Sequence, residues 1–197
     1  MNKIILLLLS VAFVSQVAGL GSIAVAAEDR HKIDISGHPF KGPDAAPVTI
    51  TVYSDYQCPA CRRLEPVVKQ VIEKYPQKVK LVHMLLTYHD FSQNAVFAAY
   101  AAWDQGKFWE FHDRLFENQQ LLNSAKVTAI AKELKLDVKR FNKKMKDPAI
   151  QRLIDRDMTD VARLGITGTP TVYINGRLLE DRSFQGFKTA IEQELKM

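Results

Sequence analysis

Residues 48–61 read VTITVYSDYQCPAC. β-Branched residues occupy most positions of 48–54, a composition that is typical of a strand. A helix is predicted to begin at Pro59, because proline suits the first helical position. The chain of 197 residues has two cysteines, Cys58 and Cys61, and both lie where the predicted strand leads into the predicted helix.

The spacing of the two cysteines predicts a redox-active pair. Residues i and i+3 of a helix lie on one face, about one turn apart. At the helix N-terminus, Cys58 would have free backbone N–H groups and the positive end of the helix dipole beside it, and both favour a thiolate. Pro59 and Ala60 complete the motif. We therefore expect Cys58 to be the exposed attacking thiolate and Cys61 the resolving thiol of a redox-active Cys58–Cys61 disulfide.

Two other uses of the cysteines remain open. A structural disulfide that closes a four-residue loop would contribute only ~2 kcal/mol to stability by chain entropy. Metal ligation usually takes three or four protein ligands, and the chain has no second cysteine pair. No histidines stand at H-x₃-H spacing, although folding could gather one or two of the five: His31, His38, His83, His89 and His112. We expect no metal, and the lack of a phosphate-cradling glycine loop predicts no bound cofactor.

The N-terminus is typical of a secretory signal peptide. Lys3 precedes a run from Ile4 to Val14 that is apolar except for Ser10, and small residues follow it. We expect residues 1–27 to be removed on export to the periplasm of a bacterial envelope, where disulfides form and persist. The alternative is an uncleaved membrane anchor, but the apolar run is short and ends at Ser15.

The length and charge of the remainder favour a single domain. Residues 28–197 are enough for a sizeable core. The formal net charge is +5 for the whole chain and +4 without Lys3, which is modest. Basic residues alternate with acids on helix-like segments, as on solvated faces. The densest basic run, 139–146, has no binding pattern of interleaved aromatic residues, so we expect no nucleic-acid partner.

Hydrophobic periodicity predicts an α/β fold for this domain. Lys32–Ser36 alternates and is predicted to be a short strand, followed by a loop over 37–47. A second buried strand over Lys78–Leu86 would complete a β-α-β unit with parallel strands. Residues 91–164 are predicted to be entirely helical, with caps at Ser92, Ser124, Asp137 and Asp147. The tail returns to a β-hairpin, signalled by Asn175-Gly176, and a last helix.

These motifs resemble the thioredoxin superfamily. The Cys58–Cys61 motif, Pro66 within the following helix, and the run GITGTPT at 165–171 occur in that order. The helical block inserted after the second strand resembles the DsbA-type branch, and so do Asp55-Tyr56-Gln57 before the motif. The resemblance covers residues 30–197. It implies a thioredoxin-like fold, in which helices flank a central β-sheet. Residues 30–90 and 165–197 would form the thioredoxin part, and residues 91–164 would form an inserted helical subdomain.

The resemblance also implies a substrate-binding loop. In this family the proline before the hairpin is cis and faces the cysteines, and the matching residues are Thr169 and Pro170. A cis bond there would expose the Thr169 backbone for strand-like pairing with an extended substrate. An ordinary trans proline that opens an edge strand is the alternative.

Two departures from the family pattern bear on the redox chemistry. The family often has a buried acidic residue six positions before the first cysteine, and here that position is Val52; we do not transfer its role to Asp55. The strongest oxidants of the branch carry histidine at the position of Ala60. The side chain of alanine cannot donate a hydrogen bond. We therefore expect this pair to be less oxidising than theirs.

By resemblance, the chain is expected to be a protein thiol:disulfide oxidoreductase. It would oxidise reduced exported proteins through Cys58 and Cys61 and be reoxidised by a membrane partner of the quinone-linked type. A disulfide reductase or isomerase on the same fold is the first alternative. A non-catalytic module that binds peptides or a metal is the second.

Overall fold

The computed structural model describes residues 30–197, and the leader predicted over residues 1–27 lies outside the described residues. Within the described range, five strands form one mixed sheet in the order β1-β3-β2-β4-β5. These strands are β1 (Phe40–Lys41), β2 (Val48–Ser54), β3 (Val79–Leu85), β4 (Thr171–Ile174) and β5 (Arg177–Leu178).

Seven helices flank the sheet in residues 30–197. They are α1 (Pro59–Lys74), α2 (Ser92–Trp103), α3 (Phe108–Glu117), α4 (Ser124–Glu133), α5 (Val138–Lys144), α6 (Pro148–Arg163) and α7 (Phe184–Glu194). A short 3₁₀ turn, Gln119–Leu121, follows α3. No described helix is both long and apolar enough to cross a membrane.

The pairing of β2 places the cysteine helix over the middle of the sheet. β2 runs parallel to β3, from Val48 opposite Val79 to Ser54 opposite Leu85, and antiparallel to β4. The parallel pair is connected through α1, which confirms the predicted β-α-β unit. Because β2 is central, six of its seven residues are buried.

The segment between β3 and β4 contains helices and turns only, as predicted for 91–164. Asp137 and Asp147 cap α5 and α6 by accepting the backbone N–H groups of Arg140 and Ala149, as predicted. The caps predicted at Ser92 and Ser124 are wrong, because each serine is the first residue of its helix and the preceding residue is the N-cap. At α4 the side chain of Asn123 accepts the N–H of Lys126. Asparagine and serine are both good caps, so the pattern alone does not choose between neighbours.

The short strand predicted over Lys32–Ser36 is also wrong. The Asp34 carboxylate accepts the backbone N–H of Ser36, and Gly37 adopts a left-handed backbone (φ 76°), so this segment ends in a turn. Its alternation is nevertheless meaningful, because Ile33 and Ile35 pack on a buried cluster below the sheet. The first strand is instead β1, inside the predicted loop, where it pairs with β3.

Candidate active site

The two cysteines lie at the N-terminus of α1. Cys58 is the N-cap residue, with an extended backbone (φ −77°, ψ 116°), and Pro59 is the first helical residue. Both cysteines are in the free thiol state. Cys58 is 8% exposed and Cys61 1%, so Cys58 is the more accessible of the two, but it is less exposed than predicted.

The surroundings of the two sulfurs shift their pKa values in opposite directions. Burial raises the pKa of Cys58, but hydrogen bonds from the Thr169 side chain, from Cys61 and from the backbone N–H of Ala60 outweigh it and lower the pKa. Burial raises the pKa of Cys61 to about 11, although the nearby Ser54 hydroxyl and the Asp55 backbone act against it. Cys58 is therefore the thiol that ionises first.

The loop before β4 contacts the Cys58 sulfur. The Thr169–Pro170 peptide bond is cis, the isomer that the resemblance implied. When protonated, Cys58 Sγ donates to the carbonyl oxygen of Thr169, 3.3 Å away. Arg182 donates a hydrogen bond to the carbonyl oxygen of Pro170 and so ties this loop to the segment before α7. The sequence analysis missed Arg182, because one arginine among 27 basic residues carries no positional signal.

Asp55 anchors the loop that precedes the cysteines. Its fully buried carboxylate accepts the backbone N–H groups of Gln57 (2.7 Å) and Tyr88 (2.8 Å) and the hydroxyl of Ser92 (2.5 Å). The ring of His89 lies 3.1 Å from the same carboxylate. Asp55 therefore joins the end of β2 to the start of α2 and fixes the approach to the motif.

Gln119 supports the motif from the helical segment. Its side-chain amide donates to the carbonyl oxygens of Tyr56 and Cys58, both at 2.8 Å, and the residue is 6% exposed. An isolated glutamine in a helical region carries no sequence signal, so this residue was also missed.

A buried polar group of three residues lies between α1, β3 and α3. It consists of Glu65, His83 and His112, and their donor atoms lie within 4.8 Å of one another. His112 Nδ1 is 3.0 Å from the Tyr56 hydroxyl, and His112 Nε2 is 3.2 Å from Glu65. Val52, which replaces the acidic residue common in the family, stands opposite His83 in the sheet. We call these three residues the Glu-His-His cluster. The sequence did not predict it, because the three residues are far apart along the chain.

Residues 36–193 match a family model described as Thioredoxin, which spans most of the chain. The chain belongs to the thioredoxin family. It is 30% identical over 168 residues to a probable disulfide bond formation protein D of Bacillus cereus, and the match covers 79% of this chain and 77% of the relative.

Solved structures show the same fold. A thioredoxin-like oxidoreductase from Silicibacter pomeroyi superposes with a TM-score of 0.74 at 28% identity, over 81% of this chain and 93% of that one. Oxidised BdbD from Bacillus subtilis gives a TM-score of 0.74 at 25% identity, over 86% and 99% of the two chains. The thioredoxin-like fold with a helical insertion is thereby confirmed.

A second group of relatives is much longer than this chain. A Na(+)/H(+) antiporter NhaA 3 of Salinispora tropica is 39% identical over 140 residues, which is 70% of this chain but 21% of that protein. An NhaA 1 of Salinispora arenicola matches in the same way, at 38% identity. The chain thus spans about a fifth of the length of these antiporters.

The opposed pKa values predict how alkylation depends on pH. In a Cys61→Ser variant, the rate of Cys58 alkylation by iodoacetamide should stay high until the pH falls through the lowered Cys58 pKa. The inflection should therefore lie below the value of about 8.5 for an ordinary cysteine. Replacing Thr169 by valine removes a hydroxyl donor and should move the inflection to higher pH. Thr169→Ser is the matched control and should not. An inflection at the value of the urea-unfolded protein would contradict the assignment.

Proposed function

We propose that this protein is a thiol:disulfide oxidoreductase that oxidises exported proteins through Cys58 and Cys61. The observation that supports this most is the opposed shift of the two thiol pKa values across one turn of α1. The relatives named for disulfide bond formation agree with it.

The proposed reaction moves two electrons from client to enzyme. A client thiolate attacks Cys58 Sγ of the Cys58–Cys61 disulfide, the S–S bond breaks, and Cys61 leaves as a thiolate that takes up a proton. The second client thiolate then attacks the client sulfur of the mixed disulfide. Cys58 leaves as a thiolate, and the client holds a new disulfide.

The lowered pKa of Cys58 favours the oxidase over the reductase, because a stabilised Cys58 thiolate stabilises the reduced enzyme and makes the disulfide more oxidising. The raised pKa of Cys61 affects both routes. It slows the attack of Cys61 on a mixed disulfide, and it makes Cys61 a poorer leaving group when a client attacks Cys58.

The surface around Cys58 suits an unfolded client. Phe91 and Leu121 are 46% and 60% exposed, although both are large and apolar. Phe91 donates its backbone N–H to the side chain of Gln57, and Leu121 lies in the 3₁₀ turn with Gln119, so both adjoin the motif. The loop at Thr169 and Pro170 would pair with the extended backbone of the client.

The proposal places the protein in the bacterial periplasm, with a quinone-linked membrane protein as its oxidant. Reoxidation then returns the two electrons to the membrane and restores the Cys58–Cys61 disulfide. The predicted leader over residues 1–27 supports this location.

Trapping of mixed disulfides tests the proposal directly. A Cys61→Ala variant expressed in an exporting host should accumulate disulfides between Cys58 and exported proteins that contain cysteine pairs. The matched Cys58→Ala variant should accumulate none, because it lacks the attacking sulfur. Mixed disulfides with a membrane reductant alone would support the reductase instead. No mixed disulfide at all would support a non-catalytic binding module.

The reduction potential tests the role of Ala60. We expect a value more reducing than about −120 mV, the value of the strong oxidant DsbA. Ala60→His adds a hydrogen-bond donor beside the Cys58 thiolate and should raise the potential by on the order of 30 mV, whereas Ala60→Leu should not. The measurement is equilibration with glutathione buffers. A wild-type potential at or above the strong-oxidant value would refute the inference from Ala60.

The N-terminus of the exported protein tests its location. Mass spectrometry of protein recovered from the periplasmic fraction should show a chain that begins at Ala27 or Glu28. An intact leader, with the protein in the membrane fraction, would indicate an anchor and contradict release into the periplasm.

A further inference from the structure

The Glu-His-His cluster lies beside the cysteine helix, with both histidines buried and Glu65 partly exposed. Glu65 projects from α1, His83 from the central part of β3, and His112 from α3. The side chain of Glu65 is 22% exposed and that of His112 is 1%; His83 is fully buried. Three elements that are distant in sequence therefore deliver three polar side chains to one interior point.

The hydrogen bonds of this cluster are incomplete. Among residues 30–197, no hydrogen-bond partner is present for either ring nitrogen of His83. The Oε1 atom of Glu65 also has none in this range. An unsatisfied buried polar group costs about 1–3 kcal/mol, and an imidazole without a partner on either nitrogen is rare inside a protein. The cluster therefore has spare ligand atoms that face a common centre.

The spacing of the atoms suits a metal ion. Two ligand atoms at about 2.1 Å from a zinc ion in tetrahedral geometry lie about 3.4 Å apart. His112 Nε2 and Glu65 Oε2 are 3.2 Å apart, close to this value. The three ligand atoms lie within 4.8 Å of one another. To reach the tetrahedral spacing, the two atoms that are farthest apart would have to approach by at most about 1.4 Å.

Two charged groups near the cluster bear on whether it suits a cation. Glu65 contributes the one carboxylate of the cluster. Lys41, which lies over the Trp109 ring, is a nearby positive charge that opposes a cation. The single carboxylate offsets it.

Tyr56 orients the ring of His112. Its hydroxyl is 3.0 Å from His112 Nδ1, which leaves Nε2 directed at the centre of the cluster. Metal-binding histidines usually donate their other N–H in this way.

From these observations we propose that Glu65, His83 and His112 form a binding site for one divalent transition-metal ion of the zinc class. Two imidazoles and one carboxylate are a ligand set that zinc uses in proteins. The site would be separate from Cys58 and Cys61, and it would brace α1 against β3 and α3 through Tyr56.

The experiment uses the full chain with Cys58→Ser and Cys61→Ser, so that the thiols cannot bind the metal. Protein stripped with a chelator is mixed with zinc chloride, passed through gel filtration and analysed for zinc by mass spectrometry. Cobalt chloride is the spectroscopic probe, since tetrahedral cobalt with nitrogen and oxygen ligands has characteristic visible absorption. Far-ultraviolet circular dichroism checks the fold of every variant.

One zinc ion per chain is expected, together with tetrahedral cobalt absorption. His83→Leu should abolish both, while His31→Gln, a histidine outside the cluster, should retain both. Tyr56→Phe should keep the stoichiometry but weaken zinc affinity by about 10–100-fold, as is usual when a group that hydrogen-bonds a metal ligand is removed. A folded Cys-free protein that binds no zinc, or zinc binding that survives His83→Leu, would overturn the proposal. Both results leave the thiol chemistry untouched, because neither readout involves the cysteines.

Discussion

The contact between the Cys58 sulfur and the Thr169 loop is the constraint on which the site depends. The two residues are 111 positions apart, yet they come within 3.3 Å because β2 and β4 are neighbours. Antiparallel pairing places Tyr53, near the end of β2, opposite Thr171, the first residue of β4. The motif follows β2 and the loop precedes β4, so both lie at the same end of these two neighbouring strands. The order of the strands in the sheet thus brings the motif and the loop together.

The helical segment is part of the active site and not an appendage to it. Cys58 and Cys61 belong to the same buried apolar cluster as Phe111 and other residues of the helices between β3 and β4. Gln119 holds the backbone at Cys58, and Ser92 holds Asp55. A motif supported from both sides keeps the sulfur at the helix end, where hydrogen bonds can stabilise its charge.

Local signals in the sequence were sufficient for most of the elements. The strand before the motif, the caps at Asp137 and Asp147, and the Asn175-Gly176 turn each rest on neighbouring residues, and each is present in the structure. The alternation of Lys32–Ser36 misled, because burial of alternate residues does not require strand pairing.

Side chains that act across long sequence separations were beyond reach of the sequence alone. Gln119 and Arg182 are polar residues of common types, and only the fold brings them to the carbonyl oxygens that they bind. The same holds for Glu65, His83 and His112. Their residue types fit many roles, and it is the crossing of α1, β3 and α3 that gathers them. Histidine spacing in the sequence is compatible with such a cluster but does not locate it.

Burial is the structural reason for the asymmetry of the pair. Where the family often has a buried acid this chain has Val52, which has no carboxylate to exchange a proton with Cys61. Glu65 lies one turn beyond Cys61 on the same face of α1, but its carboxylate is engaged by His112. The apolar setting of Cys61 raises its pKa to about 11, whereas hydrogen bonds at the helix end lower the pKa of Cys58. One helical turn thus separates a thiol that ionises readily from a thiol that holds its proton.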